Sequence, residues 1–133
     1  MDKKKLKILV VDDDKDLCNL ISDIMKEDGY RVSKAYDADS AINKIIKNKI
    51  DILIIDNKLS GSSGISVIER SKLLNPSMKT IMISAYGNTS TKLRARDLGV
   101  YDFLDKPFDI KVLLRRVSDL IFTPSGNGFS MIY

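Results

Sequence analysis

Histidine is missing from all 133 residues, and cysteine occurs once. The first absence removes His-based general-base catalysis and any phosphohistidine carried by the chain itself. Cys18, standing alone, excludes an internal disulfide and a zinc cluster. No apolar run approaches the roughly 20 residues that a bilayer span needs. The start, Met1-Asp2-Lys3-Lys4-Lys5, is basic, but the apolar stretch behind it ends within six residues. That is too short for a signal-peptide core, so the expected setting is cytoplasmic and off the membrane. Aromatic residues are also absent from among the basic ones. The 22 Lys and Arg outnumber the 18 Asp and Glu, for a formal charge of +4, yet they are scattered along the chain. This reads as a solvated surface and not as a nucleic-acid interface.

What remains is a soluble globular balance, 44% hydrophobic and 30% charged, in a length suited to one domain. Short apolar runs alternate with longer segments of helical period. Leu6 to Val11 is nearly continuous and β-branched, as in a strand covered on both faces, and Asp12-Asp13-Asp14 stops it. Leu17, Leu20, Ile21, Ile24 and Met25 then recur at helical spacing until Gly29. Arg31 to Ala35 reads as a second strand. Asp37 caps a helix with Ala41, Ile42, Ile45 and Ile46 on its inner face. Ile50 to Ile55 is the third and most apolar strand, cut off by Asp56.

A Ser- and Gly-rich loop follows, residues 60 to 64, and then a helix from Ile65 to Leu74, closed by Asn75-Pro76. Thr80 to Ile83 is strand four, ended by Ser84. A helix with a thin apolar stripe spans Ser90 to Leu98, before Gly99. Tyr101 to Leu104 is strand five, broken at Lys106-Pro107. Asp109 caps a last helix whose inner face is Ile110, Leu113, Leu114, Val117, Leu120 and Ile121. Residues 1–122 thus form one domain, and 123–133 read as a linker-like or frayed tail. The alternation predicts a doubly wound, five-stranded parallel sheet of order 2-1-3-4-5, a flavodoxin-like three-layer α/β/α fold.

In a parallel sheet every strand ends on the same edge. Asp12 and Asp13, Asp56, Ser84 and Lys106 each stand at a strand end, so one crevice at the topological switch point is expected to gather them. An Asp, Ser or Lys in such a place is usually a cap, a turn or plain surface; the conjunction carries the signal. Three clustered carboxylates require a cation, and an all-oxygen set suits Mg²⁺ or Mn²⁺. Lys106 offers a point charge for a phosphoryl oxygen, and Ser84 a neutral donor. Asp56 is then placed as a nucleophile forming an acyl phosphate, with metal and lysine stabilising the transferring group.

These residues resemble the response-regulator receiver domains of two-component systems, the CheY-like superfamily. The matching pieces, within residues 6–122, are Ile8 to Asp13, Ile55-Asp56, Gly64, Ser84-Ala85 and Asp105-Lys106-Pro107-Phe108. The resemblance implies a signalling phosphoacceptor, not a turnover enzyme on an external substrate. Asp56 would take phosphate from a phosphohistidine on a partner sensor kinase or phosphotransferase. Asp13, Asp56 and the backbone carbonyl of Lys58 would bind the metal, and Asp12 would act through water. Ser84's hydroxyl would move toward the phosphoryl group and Phe103, the switch aromatic, would swing inward, re-posing the face of helix four, strand five and helix five. The same face is a route to homodimers. Ser60, Ser62 and Ser63 depart from the Pro, Met and Asp common there, which loosens the loop after Asp56. Lys58 and Tyr86 occupy positions that tune acyl-phosphate hydrolysis in the family, and a Lys at the first is reminiscent of sporulation-phosphorelay regulators.

Three other readings compete. Asp12 and Asp14 satisfy the Asp-x-Asp pattern of haloacid-dehalogenase-type phosphatases, but no acidic pair follows the lysine and Asp56 is left without a role. A flavin-binding module would want donors at this edge, not carboxylates. A degenerate receiver would lack part of the acceptor set. No helix-turn-helix, ATPase or catalytic segment is legible after residue 122, so a free-standing regulator and the receiver of a longer one both remain open.

Overall fold

The computed structural model describes residues 5–122, and the expected tail, 123–133, lies outside the described residues. Five parallel strands form the sheet: β1 (Lys7–Val11), β2 (Arg31–Ala35), β3 (Ile52–Asp56), β6 (Lys79–Ala85) and β7 (Asp102–Lys106). Their order is β2-β1-β3-β6-β7. Counted among themselves the strands run 2-1-3-4-5, as expected. The labels skip because a small antiparallel hairpin, β4 (Lys58–Leu59) and β5 (Ser62–Ser63), interrupts the segment after β3. The helices are α1 (Lys15–Glu27), α2 (Ala38–Lys47), α3 (Gly64–Leu74), α4 (Thr89–Asp97) and α5 (Ile110–Phe122).

Alternation along the strands builds two cores. Leu9, Val11, Leu53, Ile55, Met82 and Phe103 face α2, α3 and the single buried residue of α4, Ala95. Ile8, Val10, Ile52, Ile54, Ile81 and Ile83 face α1 and α5. Burial on both faces is why the strand sequences read as unbroken apolar runs. Cys18 sits in the second core, its thiol against the carbonyls of Val10 and Ala35. Burial first, and then the charge of Asp12, push its pKa up, so it stays a thiol.

Side chains fix where the helices begin. Asp14, Asp37, Ser63 and Asn88 accept the N–H of Leu17, Ser40, Ser66 and Thr91 respectively, at the starts of α1 to α4. Gly29, at φ 99°, ends α1 in the left-handed region. Helix α4 begins a residue before the Ser90 expected from sequence. Ile46 does not belong to the inner face of α2: it is 60% exposed. Ala38, Ala41, Ile42 and Ile45 already complete the stripe, and a residue 100° beyond Ile45 must turn outward.

The segment expected as a loop after Asp56 is therefore partly a hairpin, too short for any sequence period to announce. Leu59 buries itself in the first core and Gly61 turns the chain at φ 71°. Gly64 then has to pass close to the strand it left. A Cβ there would stand 2.6 Å from the carbonyl oxygen of Asp56 and 3.0 Å from Cα of Asn57. Both are backbone atoms that no rotamer change can move. Gly64→Ala is expected to cost about 1–3 kcal/mol and several degrees of melting temperature. Thermal unfolding checks this; a variant melting with the parent would show that the turn yields freely.

Candidate functional site

The parallel sheet delivers the polar strand ends to one edge. Asp12 and Asp13 follow β1, Asp56 closes β3, Ser84 lies near the end of β6, and Lys106 closes β7. Asp56 pairs with Ile83, and Ala85 pairs with Lys106, so the three strands are in step at this edge. Asp12 and Asp56 are buried, at 1% and 5% exposure. Asp13 is the outermost of the three carboxylates. One oxygen from each of Asp12, Asp13 and Asp56 lies within 4.8 Å of the others. The Lys106 ammonium donates to Asp56 Oδ2 at 2.6 Å and stands 3.8 Å from Asp12 Oδ2.

Backbone and hydroxyl donors hold the carboxylates in place. The N–H of Asp14 donates to Asp12 Oδ1 at 2.9 Å, and that of Lys58 to Asp56 Oδ1 at 3.2 Å. Ser60 Oγ donates to Asp13 Oδ2 at 3.0 Å. Even so, one ammonium cannot balance three carboxylates. Burial, aided by the charges of Asp56 and Asp13, raises the pKa of Asp12 to about 6, although the Asp14 N–H and Lys106 oppose the shift. Burial disfavours the charged form of Lys106, but its hydrogen bond and charge pairing with Asp56 outweigh that, and the net shift is upward.

The donor set fits a hard divalent cation. All the converging groups are oxygens, and buried Asp12 Oδ2 has no hydrogen-bond partner among the described residues. A buried carboxylate oxygen left in that condition is costly unless a cation lies near it. Asp13 and Asp56 stand beside it and each offers a further oxygen that could hold an ion.

Ser84 is buried, and its Oγ accepts from Asn88 Nδ2 at 3.4 Å. Phe103 is buried in the first core, with the Lys92 ammonium 5.5 Å from its ring centre and 3.7 Å from Asp105. Tyr86 stands at the rim, 82% exposed. Asp14 belongs elsewhere: its carboxylate caps α1, which removes the acid/base that a phosphatase reading of Asp12 required. The carboxylates at this edge are likewise poor company for a flavin phosphate.

Two asparagines escaped the sequence reading. Asn57 Oδ1 accepts from Ile65 N–H and its Nδ2 donates to Thr91 Oγ1, both at 3.4 Å, joining α3 to α4 beside Asp56. Asn88 joins Ser84 to the cap of α4. The available signal was an amide directly after the strand-ending Asp and another four residues after Ser84. Beside Lys106, a hollow is lined by Leu17, Leu20, Tyr86, Pro107, Phe108 and Ile110. Leu20 is exposed, and the apolar spacing of α1 did not distinguish it from its buried neighbours.

The sequence profile of the response regulator receiver domain matches residues 8–118. The chain belongs to that family. The receiver is 36% identical over 104 residues to the nitrogen assimilation regulatory protein NtrX of Azorhizobium caulinodans, a match covering 77% of this chain and 23% of that protein. It is 30% identical over 104 residues to sporulation initiation phosphotransferase F of Bacillus subtilis, covering 78% of this chain and 84% of that one. Among solved structures it resembles a CheY-like receiver domain protein from Methanospirillum hungatei JF-1, with TM-score 0.84, 26% identity, and coverage of 88% and 94% of the two chains. The receiver therefore spans about a quarter of NtrX and most of the sporulation protein. No helix among the described residues is long and apolar enough to cross a membrane.

The electrostatics give a pH signature. Because folded Asp12 holds its proton up to about pH 6, against 3.8 as the ordinary value, the native state binds more protons than the unfolded chain between those limits. Asp12 therefore removes stability as pH rises through that window. Without divalent ions, the melting temperature of Asp12→Asn minus that of the parent is expected to grow from pH 4 to pH 7. Mg²⁺ should shrink the difference. A constant offset across the range would refute the assignment.

Proposed function

We propose that this receiver takes a phosphoryl group from a partner phosphohistidine onto Asp56, in the presence of Mg²⁺ or Mn²⁺. The observation that carries the reading is the buried Asp56 carboxylate, held by Lys106 at 2.6 Å beside two further carboxylates. Asp13, Asp56 and the backbone carbonyl of Lys58 would hold the ion, with Asp12 acting through water. When bound, the ion neutralises charge on the transferring group.

The chain's own residues do the rest. A carboxylate oxygen of Asp56 attacks phosphorus; the O–P bond forms, the P–N bond breaks, and the electron pair leaves on the donor imidazole nitrogen. Lys106, already charged and in contact with Asp56, passes to a phosphoryl oxygen. Ser84's hydroxyl donates to another and draws the β6 end with it. The added charge, close to −2, thereby biases Phe103 and the face made by α4, β7 and α5. Lys58 and Tyr86 flank the water route by which the acyl phosphate is lost, so the domain promotes both its own phosphorylation and its own reversal. A sensor histidine kinase or histidine phosphotransferase is the donor, working in the cytoplasm. Its helix docks on the apolar hollow of Leu17, Leu20, Pro107, Phe108 and Ile110, which is continuous with Lys106 and so brings a phosphohistidine to the mouth of the site.

Incubation with acetyl phosphate and Mg²⁺, followed by intact-mass measurement, is expected to add one phosphoryl group. Asp56→Asn and excess chelator should each abolish the adduct, whereas Asp12→Asn should slow its formation. An adduct that survives Asp56→Asn would overturn the assignment. Leu20→Glu separates docking from chemistry. It should lower the transfer rate from a phosphohistidine protein by about 10-fold or more while leaving acetyl phosphate labelling intact, as loss of an interface anchor does. Equal losses with both donors would contradict the docking surface.

A further inference from the structure

We propose that Ser60 is a positioning residue for the divalent ion, holding the Asp13 carboxylate ready before the ion arrives. The proposal rests on the metal reading above and goes beyond it. Asp13 is the most exposed of the three carboxylates, and a side chain on the rim of a site is free to rotate unless something holds it. Ser60 Oγ donates to Asp13 Oδ2 at 3.0 Å, across 47 residues of sequence.

The hairpin that carries Ser60 is itself fastened. The N–H of Lys58 donates to Asp56 Oδ1, Leu59 is buried in the first core, and Ser63 caps α3. The hairpin thus contacts two of the three carboxylates, one through its backbone and one through the serine hydroxyl. Asp13 is tied to the hairpin instead of to solvent alone. One carboxylate oxygen accepting a single hydrogen bond keeps further lone-pair capacity for an ion. A proline at this position would stiffen the turn but offer no donor for Asp13. The serine hydroxyl instead gives the hairpin a direct tie to Asp13, so hairpin order and ion binding become coupled.

Calorimetric titration with Mg²⁺ alone tests this on the parent, Ser60→Ala and Ser60→Thr. Ser60→Ala is expected to weaken Mg²⁺ binding by about 5-fold, the cost of immobilising on binding one side chain that the parent already holds. Ser60→Thr, which keeps the hydroxyl, should bind as the parent does. Hydrogen exchange gives a second readout: Mg²⁺ should protect the amides of residues 58–63 in the parent and less so in Ser60→Ala. Equal or tighter Mg²⁺ binding by Ser60→Ala would overturn the proposal. A parent with no Mg²⁺ affinity would overturn the metal reading itself, an outcome visible before any variant is compared.

Discussion

Three carboxylates share one edge of a buried sheet, and their mutual repulsion governs the rest of this structure. Lys106 relieves part of it by closing on Asp56 at 2.6 Å. The remainder shows in the pKa of Asp12, pushed up by burial and by its two acidic neighbours. An isolated buried carboxylate would neutralise itself or acquire a partner. Here the proposed further partner is a divalent ion, and the proposed phosphoryl transfer needs it and Lys106 to offset the surplus negative charge.

The packing around that edge is uneven in a way that suits a switch. Helices α1, α2 and α5 each bury four residues, whereas α4 buries only Ala95. What locates the start of α4 is polar: the Asn88 cap, its contact with Ser84, and the Thr91 contact with Asn57. Elements with few buried apolar contacts open at lower free energy than those held by apolar burial. The helix with the least core lies next to the hydroxyl proposed to move. Phe103, with the Lys92 ammonium over its ring, belongs to the first core.

Legibility in the sequence followed the physics. Strands and helices were readable because double-sided burial writes unbroken apolar runs and single-sided burial writes a helical stripe. The gathering of Asp12, Asp13, Asp56 and Lys106 was readable because parallel strands end together. The hairpin at residues 58–63 was not, since two-residue strands are too short for any period to show. Ile46 was misplaced because apolar character alone does not say which of two adjacent isoleucines turns inward; the stripe through Ala38 does. The asparagine contacts were invisible because a polar side chain carries no mark of the partner it will meet.

Sequence by itself determined the element order, the parallel sheet and the set of reactive groups at its edge, because these depend on local periodicity and on a topological rule. The tertiary structure alone decided which carboxylate oxygen is left without a hydrogen bond, that Gly64 must lack a side chain beneath the Asp56 carbonyl, and that Ser60 reaches Asp13. Those outcomes depend on distances of a few ångströms between segments far apart in the chain, and such distances exist only once both cores have packed.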